Sequence, residues 1–394
     1  MLSEKSAQTV RATLPAVGAA IGEITGSSYG RLFAAHPELL RDLFNRGNQA
    51  AGTQRQALAG SIAAFATALV EHPEQRPDAM LARIAHKHAS LGVTAEQYHV
   101  VHEHLFAAIV EILGEAVTPE VAAAWDEVYW LMANALIAVE QRLYEQSGTR
   151  GERRPYVVAA RTAETADVAT FLLHPADGGP VPAHRPGQYV SVQVELPDGA
   201  RQIRQYSLSG NPDGGLQITV KRVAGDPAGE VSTHLHRHVD QGATLLVSAP
   251  FGDVRLDDGD RPVLLASAGI GCTPIIGMLG HLAETGATRR VIAVHGDRQE
   301  SAHAFREEFE QLVAKLPNAE AHVWYERPEQ ERPADRTGRV DLTGLEVPAD
   351  AVAYLCGPLP FMRAARTQLL AAGVPAADIH YEVFGPDLWL GQDS

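Results

Sequence analysis

Ser147-Gly148-Thr149-Arg150-Gly151-Glu152-Arg153-Arg154-Pro155 divides the 394-residue sequence into parts with different periodicities. The segment is polar, carries two glycines and ends in proline, the composition of a linker. Before it, apolar residues recur at helical spacing, as in Val101, Leu105, Ala108 and Ile112, and in Trp125, Val128, Met132, Leu136, Val139 and Leu143. Helix starts are marked by Thr94 with Gln97 as a capping box, by Thr118 followed by Pro119, and by His36-Pro37-Glu38. Residues 1–148 are therefore expected to be all-helical. From Tyr156 the period becomes two: Val190, Val192 and Val194 alternate with polar residues, as do Leu216, Ile218 and Val220. Short strands between Gly, Pro and Asp clusters predict a small antiparallel β-barrel over 152–258. Beyond Arg261, strands at Pro262–Ala268, Val291–His295, His322–Tyr325, Val352–Cys356 and Ile379–Phe384 alternate with helical patterns such as Ala302–Lys315 and Phe361–Ala372. That alternation is the mark of a parallel-sheet α/β domain, here 259–394.

The bulk properties narrow the partners. A net charge of -15 repels phosphate backbones and anionic lipid, which argues against nucleic acid and membrane surfaces. Two cysteines, Cys272 and Cys356, give no disulfide framework and too few thiolates for an ordinary iron–sulfur cluster. The polar Met1–Arg11 segment has no signal-peptide core. Val263–Leu282 lacks charge, but Gly269, Gly271, Pro274, Gly277 and Gly280 break it into a strand, a tight loop and a helix rather than a membrane span. The expectation is a cytoplasmic protein.

Arg204-Gln205-Tyr206-Ser207-Leu208, preceded by Pro186-Gly187-Gln188-Tyr189, puts a guanidinium, an aromatic ring and a hydroxyl on one strand. Arg204 can pair with a diphosphate, Tyr206 can stack on an isoalloxazine, and Ser207 can hydrogen-bond a flavin edge. In isolation such a strand is only an exposed strand with one cation. Gly229-Glu230-Val231-Ser232 opens a helix whose N-terminus suits an anion. Ala268-Gly269-Ile270-Gly271-Cys272-Thr273-Pro274 runs from a strand into a helix and can cradle a pyrophosphate, though it departs from G-x-G-x-x-G. Cys356-Gly357-Pro358 follows a late strand, and Glu382-Val383-Phe384-Gly385-Pro386 lies near the C-terminus. In this order the motifs resemble the ferredoxin–NADP reductase superfamily. The resemblance implies FAD on the first two motifs and a nicotinamide nucleotide on the loop and Cys356-Gly357, with Phe384 covering the flavin ring. Asp297 can accept from a ribose 2′-hydroxyl and Arg298 can hold a 2′-phosphate, so NADH and NADPH both stay open, with a lean to NADH.

In the helical part, Ala85-His86-Lys87-His88 sits late on a helix whose Leu81, Ile84 and His88 share one face. Over its whole length this part resembles the globin of flavohemoglobins. The resemblance implies a heme b whose iron is ligated by His88, next to the cation Lys87. Glu140 and Tyr98 match the pair that hydrogen-bonds the proximal histidine, and Glu140 lies at core spacing near Leu136 and Val139. Tyr29 matches the tyrosine that holds dioxygen. Gln54 and Leu58 match the distal polar and apolar residues, and Phe44 the ring wedged against the porphyrin.

The resemblance implies nitric oxide dioxygenation, with electrons passing from NAD(P)H through FAD to heme, and the expectation is a monomer with no obligate protein partner. Rival readings are an NAD(P)H oxidase or alkyl hydroperoxide reductase on the same heme, a flavin reductase serving an external partner, and a heme-based oxygen or redox sensor. Two departures from the family stand out. Val383 occupies a position that is often cysteine, and Cys272 one that is commonly glutamine. Both bear on hydride transfer rather than on the class of reaction.

Overall fold

A computed structural model describes residues 1–329 and 335–387. The tail of the 259–394 segment, residues 388–394, lies outside the described residues. Seven α-helices fill the first part: α1 Glu4–Ala35, α2 Pro37–Asp42, α3 Arg46–Ala50, α4 Thr53–Glu71, α5 Asp78–Leu91, α6 Ala95–Leu113 and α7 Pro119–Ser147. Their starts follow the sequence signals. Thr94 and Gln97 form the capping box of α6, and Thr118 Oγ1 accepts from Val121 N ahead of Pro119. The core between them is built from Val10, Val17, Ile24, Phe65, Leu81, Leu105, Trp125, Val128 and Leu136. Burying each such side chain is worth about 1.5–3 kcal/mol.

Six strands then close a barrel in the order β1-β2-β5-β4-β3-β6. They are β1 Arg154–Thr165, β2 Val168–Pro175, β3 Tyr189–Glu195, β4 Arg201–Gly210, β5 Leu216–Lys221 and β6 Thr244–Val247, with α8 Glu230–His238 between the last two. A six-stranded sheet follows, ordered β10-β9-β8-β7-β11-β12 and parallel at each pairing. Its strands are β7 Val263–Ala268, β8 Val291–Asp297, β9 Ala319–Tyr325, β10 Asp335–Thr337, β11 Val352–Cys356 and β12 Ile379–Glu382. The helices α9 Cys272–Glu284, α10 Arg306–Ala314 and α11 Leu359–Ala371 connect them.

The chain steps outward from β7 to β10, then jumps back to place β11 on the other side of β7. That switch point opens a crevice at the carboxyl ends of β7 and β11, where open α/β sheets bind ligands. Several expected elements differ in extent: β8 runs on to Asp297, β9 starts earlier at Ala319 and α11 starts earlier at Leu359, and two further differences bear on the site. The helix expected at Ala302–Lys315 is a short 3₁₀ turn at Glu300–Ala302 and then α10, because Phe305 takes a left-handed φ of 61° between them. The last strand stops at Glu382, so Val383 and Phe384 lie beyond it.

By contact, the described chain forms two units. One comprises Met1–Arg153, Gln193–Arg204 and the chain from Gly385; the other comprises Arg154–Val192 and Gln205–Phe384. The hairpin between β3 and β4 thus groups with the helices.

Candidate active site

The helical unit holds two polar clusters. In the first, His88 on α5 turns Nδ1 toward Glu140 Oε1 at 2.9 Å and Tyr98 Oη at 2.8 Å. Tyr98 donates its own proton to Glu140 Oε1 at 2.5 Å. Glu140 is 2% exposed, on the buried face of α7 that Leu136 shares. A carboxylate only accepts, so the imidazole carries its proton on Nδ1 and keeps a lone pair on Nε2, the form that binds a metal. Burial first, then the Glu140 charge and hydrogen bond, push the Tyr98 phenol far up, so it stays a donor. The helix end is fixed too. Gly92 caps α5 at φ 75°, and a Cβ there would come within 2.7 Å of the Gly151 carbonyl oxygen. Lys87, one residue before His88, donates to the Gly385 carbonyl, and Arg83 pairs with Asp387 at 3.1 Å. Lys87 is thus spent on the C-terminal segment.

The second cluster surrounds Tyr29, which is 8% exposed on α1. Burial raises its phenol to about 12, while the side-chain amides of Gln54 and Gln49 pull the other way. Phe44 meets the Tyr29 ring edge-on at 5.7 Å and the Phe33 ring at 5.2 Å. Leu58 lies one turn after Gln54 on α4. Gln49, on α3, was not singled out by sequence. Its Nε2 is buried, and its amide stands beside the Tyr29 hydroxyl.

In the other unit, Tyr189 pairs both backbone groups with Phe251, at 2.8 and 2.9 Å. Gln205 donates to Ser191 Oγ at 3.0 Å, and Ser207 Oγ is buried without a partner. Such an orphan costs free energy unless a ligand completes it, which fits a flavin edge. Arg204, counted with the helices, donates through Nη1 to Ile203 O at 2.7 Å and Gln202 Oε1 at 3.2 Å. Tyr206 lies two residues further along β4 on the same face and is half-buried, as Arg204 is. Gly229 caps α8, whose first turn is Glu230, Val231 and Ser232. Ser232 Oγ spans Val223 N at 3.1 Å and Gly229 O at 3.2 Å, which closes the loop ahead of the helix.

At the switch point, Gly269, Ile270 and Gly271 form a 3₁₀ turn leading into α9, with Thr273 Oγ1 donating to Ile270 O at 3.1 Å and Pro274 in the first turn. A Cβ on Gly271 would collide with the Cys356 carbonyl, so the loop after β7 lies directly on Cys356 and Gly357. This backbone approach is what a nucleotide loop needs, and it admits no larger residue. Cys272 and Cys356 are buried thiols, and burial pushes both pKa values up. Asp297 is turned inward: its side chain is 4% exposed, accepts from Arg298 N at 2.7 Å and lies 3.6 Å from His295 Nε2. Beyond Glu382 and Val383, Phe384 is 49% exposed and so lies outside the hydrophobic core. Gly385 and Pro386 follow it.

Among the described residues, no helix is long and apolar enough to cross a membrane. Residues 26–136 match the globin family, and residues 265–367 match the oxidoreductase NAD-binding domain family. The chain is 42% identical to the flavohemoprotein of Rhizobium meliloti, covering 99% of this chain and 100% of that one. A flavohemoglobin of Malassezia yamatoensis with bound FAD and heme has a TM-score of 0.91 at 38% identity, covering 98% of this chain and 100% of its own. The FAD/NAD-binding domain of a nitric oxide dioxygenase from Vibrio cholerae is 40% identical, with a TM-score of 0.56, over 60% of this chain and all of that domain. Full-length identity of this order, on a fold that joins a globin to a reductase, decides membership: the chain belongs to the flavohemoproteins.

Proposed function

We propose that the chain is a cytoplasmic, monomeric nitric oxide dioxygenase, with 1–148 as heme domain, 152–258 as flavin barrel and 259–394 as nucleotide domain. The observation that carries this reading is the triad His88, Tyr98 and Glu140. A histidine bound to a buried carboxylate is a more basic ligand, and the electron density it pushes to iron favours chemistry on oxygen over simple carriage.

His88 would hold the heme iron through Nε2. Tyr29, with Gln54 and Gln49 beside it, would donate a hydrogen bond to dioxygen, while Phe44 and Leu58 exclude water from the apolar side. Arg204 and the α8 N-terminus at Gly229–Ser232 would take the flavin diphosphate. Tyr189, Gln205, Tyr206 and Ser207 would fix the isoalloxazine. The Gly269–Pro274 loop with Cys356 and Gly357 would seat NADH or NADPH, and Glu382, Val383, Phe384, Gly385 and Pro386 would form the nicotinamide approach. When bound, FAD accepts a hydride and releases electrons singly, and heme supplies the centre at which oxygen reacts. Overall, two nitric oxide, two dioxygen and one NAD(P)H give two nitrate, NAD(P)⁺ and a proton.

The test is loss of nitric oxide at an electrode, in air with NADH, alongside a nitrate assay. Rapid oxygen-dependent loss with equivalent nitrate is expected. Steady NADH oxidation with slow loss of nitric oxide would reject this reading in favour of an oxidase or hydroperoxide reductase.

A further inference from the structure

Gln202 on β4 has 0% exposure and belongs to the unit of the helices. Its Nε2 faces three carbonyl oxygens, Leu40 at 3.3 Å, Arg41 at 3.0 Å and Phe44 at 3.2 Å. These oxygens belong to the end of α2 and the loop behind it, where a finishing helix leaves acceptors without donors. Two hydrogens shared among three acceptors make a bifurcated arrangement. The other end of the amide accepts: Oε1 takes Arg46 N at 3.3 Å, the first residue of α3, and Arg204 Nη1 at 3.2 Å. Two ion pairs flank the junction, Arg201 with Asp42 at 3.3 Å and Arg46 with Asp198 at 2.6 Å.

We infer that Gln202 is a positioning residue that couples anion binding at Arg204 to the residues around Tyr29. The inference rests on the proposed reading of Arg204 as a flavin-diphosphate ligand and Phe44 as a wall of the heme pocket. Phosphate oxygens are stronger acceptors than an amide or a peptide carbonyl, so a diphosphate draws the guanidinium donors to itself. Gln202 Oε1 then loses or reorients one of its two donors. The amide is planar, so Nε2 moves with Oε1, and the Leu40–Phe44 carbonyls held by Nε2 move as well. Phe44 carries that shift to the ring of Tyr29, 5.7 Å away. With Gln202 wholly buried, water cannot replace a displaced partner and absorb the change. The coupling is reciprocal: flavin changes the affinity of a heme ligand, and a heme ligand changes flavin affinity by the same factor. A residue that only capped α2 would show neither effect.

The test uses the full-length heme-loaded protein, with FAD and after FAD removal, and carbon monoxide as the probe. Carbon monoxide affinity is measured by flash photolysis and the C–O stretch by infrared, in wild type and in Gln202→Met, which keeps the length without the polar atoms. FAD is expected to change wild-type affinity on the order of fivefold and to shift the stretch, with both effects absent in Gln202→Met. A wild type indifferent to FAD overturns the inference, and so does a Gln202→Met that keeps the full response. If Gln202→Met does not fold, wild type decides alone: FAD affinity with and without carbon monoxide must change by the same factor, and an unchanged affinity overturns the coupling. Failure of the wild type to bind heme or FAD would instead reject the functional reading beneath it.

Discussion

Glu140 Oε1 lies 2.9 Å from His88 Nδ1 and accepts a hydrogen bond from Tyr98 Oη at 2.5 Å, so one buried carboxylate oxygen decides which imidazole nitrogen is free for a metal. The relationship spans 52 residues of sequence and joins α5 to α7.

Replacing that carboxylate tests its electronic role. Glu140→Gln keeps the size but offers a neutral acceptor, so His88 becomes a less basic ligand. Loss of such a supporting partner costs about 10–100-fold in metal affinity or activity. The check is resonance Raman of the ferrous protein beside nitric oxide turnover. A lower iron–histidine frequency with reduced turnover is expected, whereas an unchanged frequency would assign Glu140 to packing.

Tyr29→Phe removes the distal hydroxyl and is expected to speed oxygen dissociation by about tenfold or more, the worth of a hydrogen bond to a charged acceptor. The phenol is raised from 10.0 to about 12, so it remains a protonated donor across neutral and mildly alkaline pH. Because the folded value lies above the unfolded one, its contribution to stability is complete below pH 10 and is lost as pH rises toward 12. Stopped-flow oxygen release and a tyrosinate absorbance titration read the two effects.

The orphaned hydroxyl of Ser207 gives opposite signs in the two states. Ser207→Ala relieves a buried unpaired group, so the flavin-free protein should be as stable as wild type or more so. FAD affinity should fall by up to about tenfold with the lost hydrogen bond. Thermal unfolding of the flavin-free form and a fluorescence titration with FAD separate these outcomes.

Gly271→Ala forces a methyl group into the Cys356 carbonyl. Overpacking of this kind costs about 1–3 kcal/mol, and here it pushes apart the two loops at the switch point. Flavin reduction by NADH in a stopped-flow instrument should slow sharply or lose saturation, while the heme and flavin spectra remain normal.

Much of this was legible in the sequence because it rests on local patterns. The capping box at Thr94 and Gln97, the switch of period after Pro155 and the core spacing of Glu140 all follow from neighbouring residues. Gln202 carried a usable signal as well. It precedes Arg204 and Tyr206 on the same period-two register of β4, so a polar residue facing the same way was there to be read. Gln49 had no such signal, because α3 is five residues long and only folding brings its amide near Tyr29. The break at Phe305 was hidden for another reason: an aromatic residue gives no hint of a left-handed backbone. The grouping of Gln193–Arg204 with the helices depends on tertiary contacts such as Gln202 with Phe44, and no periodicity encodes those.

The most direct test of the account is the fate of dioxygen. The holoenzyme is given NADH, nitric oxide and ¹⁸O₂, and the nitrate formed is analysed by mass spectrometry. Dioxygenation requires both atoms of one dioxygen molecule to enter each nitrate, so doubly labelled nitrate, with one NADH consumed per two nitrate, is the expected result. Nitrate carrying one label or none, or NADH consumed without nitrate, would contradict the account.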